Sequence, residues 1–532
     1  MKGNESGPKA ELDPAKEGGA TAAAAELRPD LYIGLVGAAG TDLNAVRDEL
    51  RAQLSIVGYE LAHIKVSDLI REVLEVAPAA DEYSRMKALM AGGDALRRAS
   101  KNGDGVAALV ISKIRSLRGA SSLKGNTAFV IDSLKNPHEV DLLDRVYGRN
   151  FYTLSVYLSR AERLRNIKNK IAKDRREPPG KLHETYASEL ILDDEKGIGD
   201  NSQNVRDTFP KADYFINGRV TLGDQVKRFV ELVFGEPFAT PTLDEYLMFL
   251  AKAAGYRSSD LSRQVGAVIA DSAGHVSASG CNEVPYPGGG IYYEGREGGP
   301  GDNRDYTKQI DPNYTEIQRS LTELISVLKE ADYITADAAD SQIVDALLQG
   351  HHKELVSNTR IRNLIEFGRI VHAEMNAICE AAAAGRAIRG GSLYCTTFPC
   401  HVCARHIIAS GLREVVYIEP YPKSMTGQLY GDEIDFAHEA AREEDGDRID
   451  RVTFRPFHGT SPTLFQRVFR YRPRKNRYGT IATWVPAMAV PQAAAYSVER
   501  PLLEANAARS LAGILDVAKV AFEQHSDGGD GA

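Results

Sequence analysis

His372-Ala373-Glu374 is followed further along the chain by Pro399-Cys400-His401-Val402-Cys403. One imidazole and two thiols form an N/S donor set suited to zinc. Three protein ligands leave a fourth position for water, the mark of a catalytic rather than a structural site. The Cys-x-x-Cys pair stands where a strand candidate gives way to a helix candidate. Free N–H groups and the positive end of the helix dipole favour thiolates there. Pro399 ends the strand, sets the turn and puts the thiols on the first helical turn. His372 also opens a helix candidate, so two helix N-termini can point at one metal. Glu374, two residues from His372, is placed to move protons rather than to bind the ion. Zn²⁺ is therefore the expected cofactor, with His372, Cys400 and Cys403 as ligands and Glu374 as the catalytic residue.

The elements that must hold these residues alternate between strand and helix. In the first block, Leu31-Tyr32-Ile33-Gly34-Leu35-Val36-Gly37 is an apolar run into glycines, followed by helical periodicity through Leu43, Val46, Leu50 and Leu54. Further strand candidates are Thr127 to Asp132 and Phe151 to Leu158. In the second block a helix is expected from Leu243 to Ala254, with strands at Gln264 to Asp271, His275 to Gly280, Ser392 to Thr397 and Glu414 to Ile418. Helical patterns run from Thr315 to Lys329, Ser341 to Leu348, His372 onward, and Cys400 to Ser410. Such alternation predicts α/β layers with parallel strands. The domain reading is a disordered tail at 1–28, a first domain at 29–237, a second at 238–484 with an insertion at 286–371, and a C-terminal helix and tail at 485–532.

Composition narrows the classes. The 532 residues are 43% hydrophobic and 26% charged, as in a soluble globular protein. No apolar run is long enough for a membrane span, and the N-terminus shows no secretory h-region, so a cytoplasmic location is expected. Lys and Arg number 65 against 73 Asp and Glu, a formal net charge of −8. That argues against a bulk nucleic-acid coat, which needs a basic field. The five cysteines are an odd number, clustered from Cys379 to Cys403 apart from Cys281. Metal or redox chemistry in a reducing compartment explains them better than disulfides do. Cys395 is expected in a buried strand and Cys379 on a core-facing helix surface.

The joint pattern H-x-E … P-C-x-x-C is the signature of zinc-dependent nucleobase deaminases. Val371 to Ile378 with Thr396 to Ala404 resembles the deoxycytidylate deaminases. So do Ala254-Gly255-Tyr256-Arg257-Ser258-Ser259, Gln264 to Ile269 and Gly280-Cys281-Asn282-Glu283-Val284-Pro285. The resemblance implies a three-layer αβα cytidine deaminase-like domain, with Asn282 on the sugar 3′-hydroxyl and Arg257 on a phosphate. It also implies a small-molecule deoxycytidine nucleotide as partner and a homo-oligomer. The insertion at 286–371 departs from single-domain members; a lid, a regulator site and a plain surface insertion are its three readings.

Gly34-Leu35-Val36-Gly37-Ala38-Ala39-Gly40-Thr41-Asp42 resembles the phosphate loop of a nucleotide kinase, on a P-loop nucleotide-kinase-like parallel sheet. Gly34, Gly37, Gly40 and Thr41, with Asp132 at the end of a Walker-B-like strand, are its nucleotide-binding candidates. The loop departs from G-x-x-x-x-G-K-[ST]: Thr41 stands in place of Lys and Asp42 in place of the magnesium hydroxyl, which removes a key positive charge. The basic run from Arg160 to Arg176 sits where such kinases carry a lid helix. Binding a regulatory nucleotide, an RNA or another partner fits this degenerate half better than phosphoryl transfer. A degenerate kinase-like half fused to a deoxycytidylate-deaminase-like half resembles the bacterial anti-phage deoxycytidine-nucleotide deaminases. That family depletes dCTP and dCMP on infection. A deaminase acting on single-stranded DNA or RNA, and a non-catalytic nucleotide sensor, are the alternatives. Arg467, Arg470, Arg472, Arg474, Lys475 and Arg477, with Tyr471 and Tyr478, form a basic aromatic patch read as a triphosphate grip, an RNA or partner surface, or a subunit interface or surface loop.

Overall fold

The computed structural model describes residues 28–119, 126–195, 197, 201–295, 301–356, 359–420, 424–436, 451–492 and 499–527. The expected N-terminal tail, Arg28 apart, lies outside the described residues, as does the C-terminal tail beyond 527. The chain forms two compact units. One comprises the chain up to Thr240 and from Thr463 onward, the other Pro241–Pro462.

In the first unit β1 (Leu31–Gly37), β2 (Glu60–Lys65), β3 (Thr127–Asp132), β4 (Phe151–Tyr157) and β5 (Tyr214–Asn217) are parallel, in the order β5-β4-β1-β3-β2. β1 and β3 are buried along their whole length, as expected of strands covered on both faces. Their side chains alternate between two cores. Leu31, Ile33 and Leu35 join α1 (Leu43–Ile56) on one face, whereas Tyr32 and Val36 face α2 (Glu82–Ala99), α3 (Gly105–Gly119) and α4 (Pro137–Tyr147) on the other. α5 (Arg160–Arg175) and α6 (Lys181–Glu195) form a hairpin with its own apolar cluster. α7 (Leu222–Val233) returns to the α1 face.

The expected boundary at 484 gives way to the packing. Leu464 and Val468 are buried in the same core as Leu31 and Ile33, so the chain rejoins the first unit well before that point. The helix Arg500–Asp527 adds Leu511, Ile514 and Ala518 to the opposite core.

The second unit opens with α8 (Leu243–Gly255). Its sheet holds β6 (Gly266–Ala270), β7 (Val276–Cys281), β8 (Ser392–Thr397), β9 (Glu414–Glu419), β10 (Ile434–Phe436) and β11 (Val452–Pro456), in the order β10-β11-β9-β8-β6-β7. β6 runs antiparallel to both neighbours, and β8, β9, β11 and β10 are mutually parallel. α11 (Ala373–Ala383) and α12 (His401–Ser410) bury Ala373, Ala377, Cys403 and Ile407 against Leu393 and Cys395 of β8. The intervening Tyr394 faces the other way and donates to Asp244 of α8 at 2.7 Å, so helices cover both faces. The insertion folds two helices, α9 (Pro312–Glu330) and α10 (Asp340–Leu348), around a small core of Ile317, Leu321, Ile325, Val344 and Leu348. Cys379 corrects its expectation: it lies on the exposed side of α11, because Ala377 and Ala381 take the inward positions. Among the described residues no helix is long and apolar enough to cross a membrane.

Candidate active site

His372 is the N-cap of α11 and Cys400 the N-cap of α12, both with extended backbone. N-cap side chains ordinarily turn back onto their own helix. Neither does so here. His372 Nδ1 lies 3.3 Å from both Cys400 Sγ and Cys403 Sγ. A tetrahedral zinc site with ordinary Zn–N and Zn–S bonds has an N···S edge of about 3.5 Å. The three donor atoms fit that edge, and they all fall within 4.8 Å of one another.

The electrostatics suit a cation. The hydrogen bond from Cys403, helped by His372, holds the Cys400 thiol down to about 4. Cys403 is shifted the other way, first by that same bond and then by burial. The bond to Cys400 pushes His372 up to about 9. A metal entering this set displaces protons from the ring and the second thiol, the usual coupling of metal affinity to pH. Glu374 is 4% exposed. Burial, and then the negative charge of Cys400, raise its carboxyl above the ordinary range, which favours a group that takes and returns protons.

Backbone packing sets the position of this group. An alanine Cβ at Gly280 would lie 2.3 Å from Ala373 O and 2.4 Å from Ala377 N, so β7 and α11 touch main chain to main chain. Asn376 accepts from Cys281 N at 3.2 Å across the same contact. Glu283 exchanges two backbone hydrogen bonds with Val371, the residue before His372. Its fully buried carboxylate accepts from Ser259 N at 2.8 Å, Ser259 Oγ at 2.7 Å and Val284 N at 2.8 Å. Glu283 thus ties the Arg257–Ser259 loop to the segment leading into His372. Sequence reasoning missed it, because an acid beside a turn reads as a surface residue.

Asn282 accepts from Val265 N and donates to Arg263 O, each at 2.7 Å. One amide proton and one lone pair remain for a ligand. The Arg257 guanidinium lies 4.4 Å from the Tyr293 ring centre, and its buried Nε has no hydrogen-bond partner among the described residues.

The candidates of the first unit have other occupations. A Cβ at Gly34 would meet Leu134 at 2.6 Å and one at Gly37 would meet Leu43 at 2.8 Å, so these glycines serve packing. Gly40 has φ +91°, and a Cβ there would lie 2.6 Å from Arg163 O. Thr41 Oγ1 is buried without a hydrogen-bond partner among the described residues. Asp42 caps α1, accepting from Asn44 N at 3.1 Å and Ala45 N at 3.3 Å. Asp132 meets His63 Nε2 at 2.6 Å, and burial raises its carboxyl above the usual range. Half of the basic run from Arg160 to Arg176 is engaged in ion pairs: Arg163 pairs with Glu195, Lys168 with Glu184, Lys170 with Glu82 and Arg175 with Asp81. In the C-terminal patch Arg467, Arg470, Arg472 and Arg474 each donate to a backbone carbonyl, a tethering role, while Tyr471 and Tyr478 are exposed.

Residues 241–419 match the family profile described as the cytidine and deoxycytidylate deaminase zinc-binding region. That profile and the His–Cys–Cys cluster make this a zinc-binding region. Deoxycytidylate deaminase of Enterobacteria phage T4 is 35% identical over 94 residues, 15% of this chain and 49% of that protein. The enzyme of phage T2 is 46% identical over 57 residues, 11% of this chain and 30% of that protein. The chain thus spans about half or less of these relatives. A solved structure of dCMP deaminase from cyanophage S-TIM5, in complex with dCMP and dUMP, aligns over 41% of this chain and 100% of that one at 16% identity, with a TM-score of 0.22. Within the second unit, residues 241–419 are thus similar to the cytidine and deoxycytidylate deaminases.

Proposed function

We propose that the chain is a zinc-dependent deaminase that hydrolyses dCTP, dCMP or both to the deoxyuridine nucleotides with release of ammonia. The observation that carries this reading is the buried Glu374 beside three converging donors at two helix N-termini. His372, Cys400 and Cys403 would hold the ion. Zinc, when bound, acts as a Lewis acid that makes water a competent nucleophile near neutral pH. Glu374 takes the proton from the attacking water and delivers it to N3 of the cytosine as the bond to C4 forms. It then takes the second proton, from the hydroxyl now on C4, and hands it to the amine as C4=O forms and the C4–N bond breaks, so one carboxyl serves twice. Its raised proton affinity suits the acid half of that cycle. Asn282 holds the deoxyribose through its remaining amide proton, and Arg257 holds a phosphate.

The architecture supports a place in anti-phage defence, as a cytoplasmic oligomer that drains the deoxycytidine nucleotide pool. The test is to incubate the zinc-loaded protein with dCMP, dCDP, dCTP, CMP, CTP and single-stranded DNA, following ammonia and uracil. Uracil is expected in the free deoxynucleotides. Uracil formed only in the polymer, or undiminished turnover by Glu374→Ala, would overturn the reading.

A further inference from the structure

The loop after β1 already has an anion in it, supplied by the chain itself. Ala39 N–H donates to Asp194 Oδ2 at 2.6 Å. Lys135 Nζ donates to Asp194 Oδ1 and to Gly37 O, both at 2.8 Å, and Gln203 Nε2 reaches the same carboxylate oxygen at 3.3 Å. Asp194 belongs to α6 and is fully buried. A loop amide, an ammonium and a side-chain amide converging on two oxygens make a receptor of the kind that phosphate groups use. The hairpin that brings Asp194 in is packed onto the loop as core. Ala39 is buried with Ile167 and Ile171 of α5 and Ala187, Leu190 and Ile191 of α6. Asn166 of α5 donates to Gly40 O at 2.9 Å, and the main chain of Arg163 lies against Gly40.

We propose that this loop is an oxyanion seat whose resident ligand is the Asp194 carboxylate, and that a phosphate group enters it only by displacing Asp194 and loosening the α5–α6 hairpin. The seat is then a latch. In its closed form the first unit carries no bound phosphate at this loop, and polyphosphate binding is linked to the release of α6. The inference stands independently of the deaminase chemistry.

Inorganic tripolyphosphate, which offers phosphate without a base or sugar, is the probe. It is titrated by calorimetry into the full chain as wild type, Asp194→Asn and the double variant Asp194→Asn/Lys135→Met. Asn keeps the shape and removes the charge. The single variant is expected to bind at least about tenfold more tightly than wild type, because the competent state no longer competes with an internal anion. Lys135→Met is expected to cancel the gain. A folded Asp194→Asn protein with wild-type affinity would overturn the proposal. Should that variant fail to fold, amide exchange on the wild type decides. Saturating tripolyphosphate is expected to protect the loop Ala39–Asp42 while exchange across Lys181–Glu195 accelerates, and a loop left unchanged would overturn the proposal. Protection of the loop with no change in that helix would show an open seat and sink the latch.

Discussion

Each unit sets a polar or metal-binding type of residue at the N-cap of a helix, and the two use that point in opposite ways. In the first unit the N-cap Asp42 folds its carboxylate back onto Asn44 N and Ala45 N of its own helix, and the loop amide of Ala39 goes to Asp194. The donors at the junction are consumed internally. In the second unit the N-caps His372 and Cys400 make no cap bond, and their side chains turn outward to meet each other and Cys403. Whether such a junction is a site is decided by where one side chain goes. The motif-level spacing of glycines or cysteines does not settle that alone.

The deepest break in the comparison is to remove a ligand. Cys400→Ala is expected to lose both bound zinc and turnover, read as metal content and ammonia release on the same sample. Glu374→Ala should keep its zinc and lose turnover by about 10²–10⁴-fold, the usual share of a positioned acid–base group. Gly280→Ala attacks the support instead of the chemistry. Its methyl would press on Ala373 O, one residue from His372. A loss on the order of 1–3 kcal/mol is expected for such overpacking, with weakened zinc retention, measurable by denaturant melts with and without chelator.

Asp213 sharpens the view of the first unit, since it is an acid without the lysine that Asp194 has. Its nearest cation is Arg467 at 3.8 Å, its side chain is 16% exposed, and burial pushes it up from 3.8 to about 6. The folded chain keeps that proton at pH values where the unfolded chain has lost it. Stability from this group therefore falls as pH rises from about 4 to about 6 and is level above. Asp213→Asn should flatten that slope and gain on the order of 1–2 kcal/mol at pH 7, seen in urea midpoints across the range. The smallest effect belongs to Asp42→Ala: about 1 kcal/mol of stability for a lost cap, with deaminase turnover unchanged.

Much of the framework was legible because both-face burial writes itself as apolar runs. β1, β3 and β8 occupy the stretches read as strands, Leu31–Gly37, Thr127–Asp132 and Ser392–Thr397. The strand Glu60–Lys65 was not, since both of its end residues are exposed and charged. β11, Val452–Pro456, is only five residues long and carries an arginine. At the zinc region the residue types themselves carried the signal. The fate of the first-unit loop was hidden for a different reason. Asp194 sits between Asp193 and Glu195, and three acids in a row read as a wetted helix end. Only the folded hairpin shows that the middle one is sealed inside while its neighbours pair with Lys87 and Arg163.

Thr41 carries one more consequence, for anyone tempted to repair the loop. On paper, Thr41→Lys brings the loop closer to the G-x-x-x-x-G-K-[ST] pattern. In space, the hydroxyl it replaces is shut away from solvent, the neighbouring methyl of Ala39 is wedged among aliphatic side chains, and Lys135 already supplies the cation. The substitution would force a second ammonium into a crowded, half-apolar corner. Giving this loop room for a phosphate-gripping lysine would mean redesigning a helical hairpin, not correcting a letter.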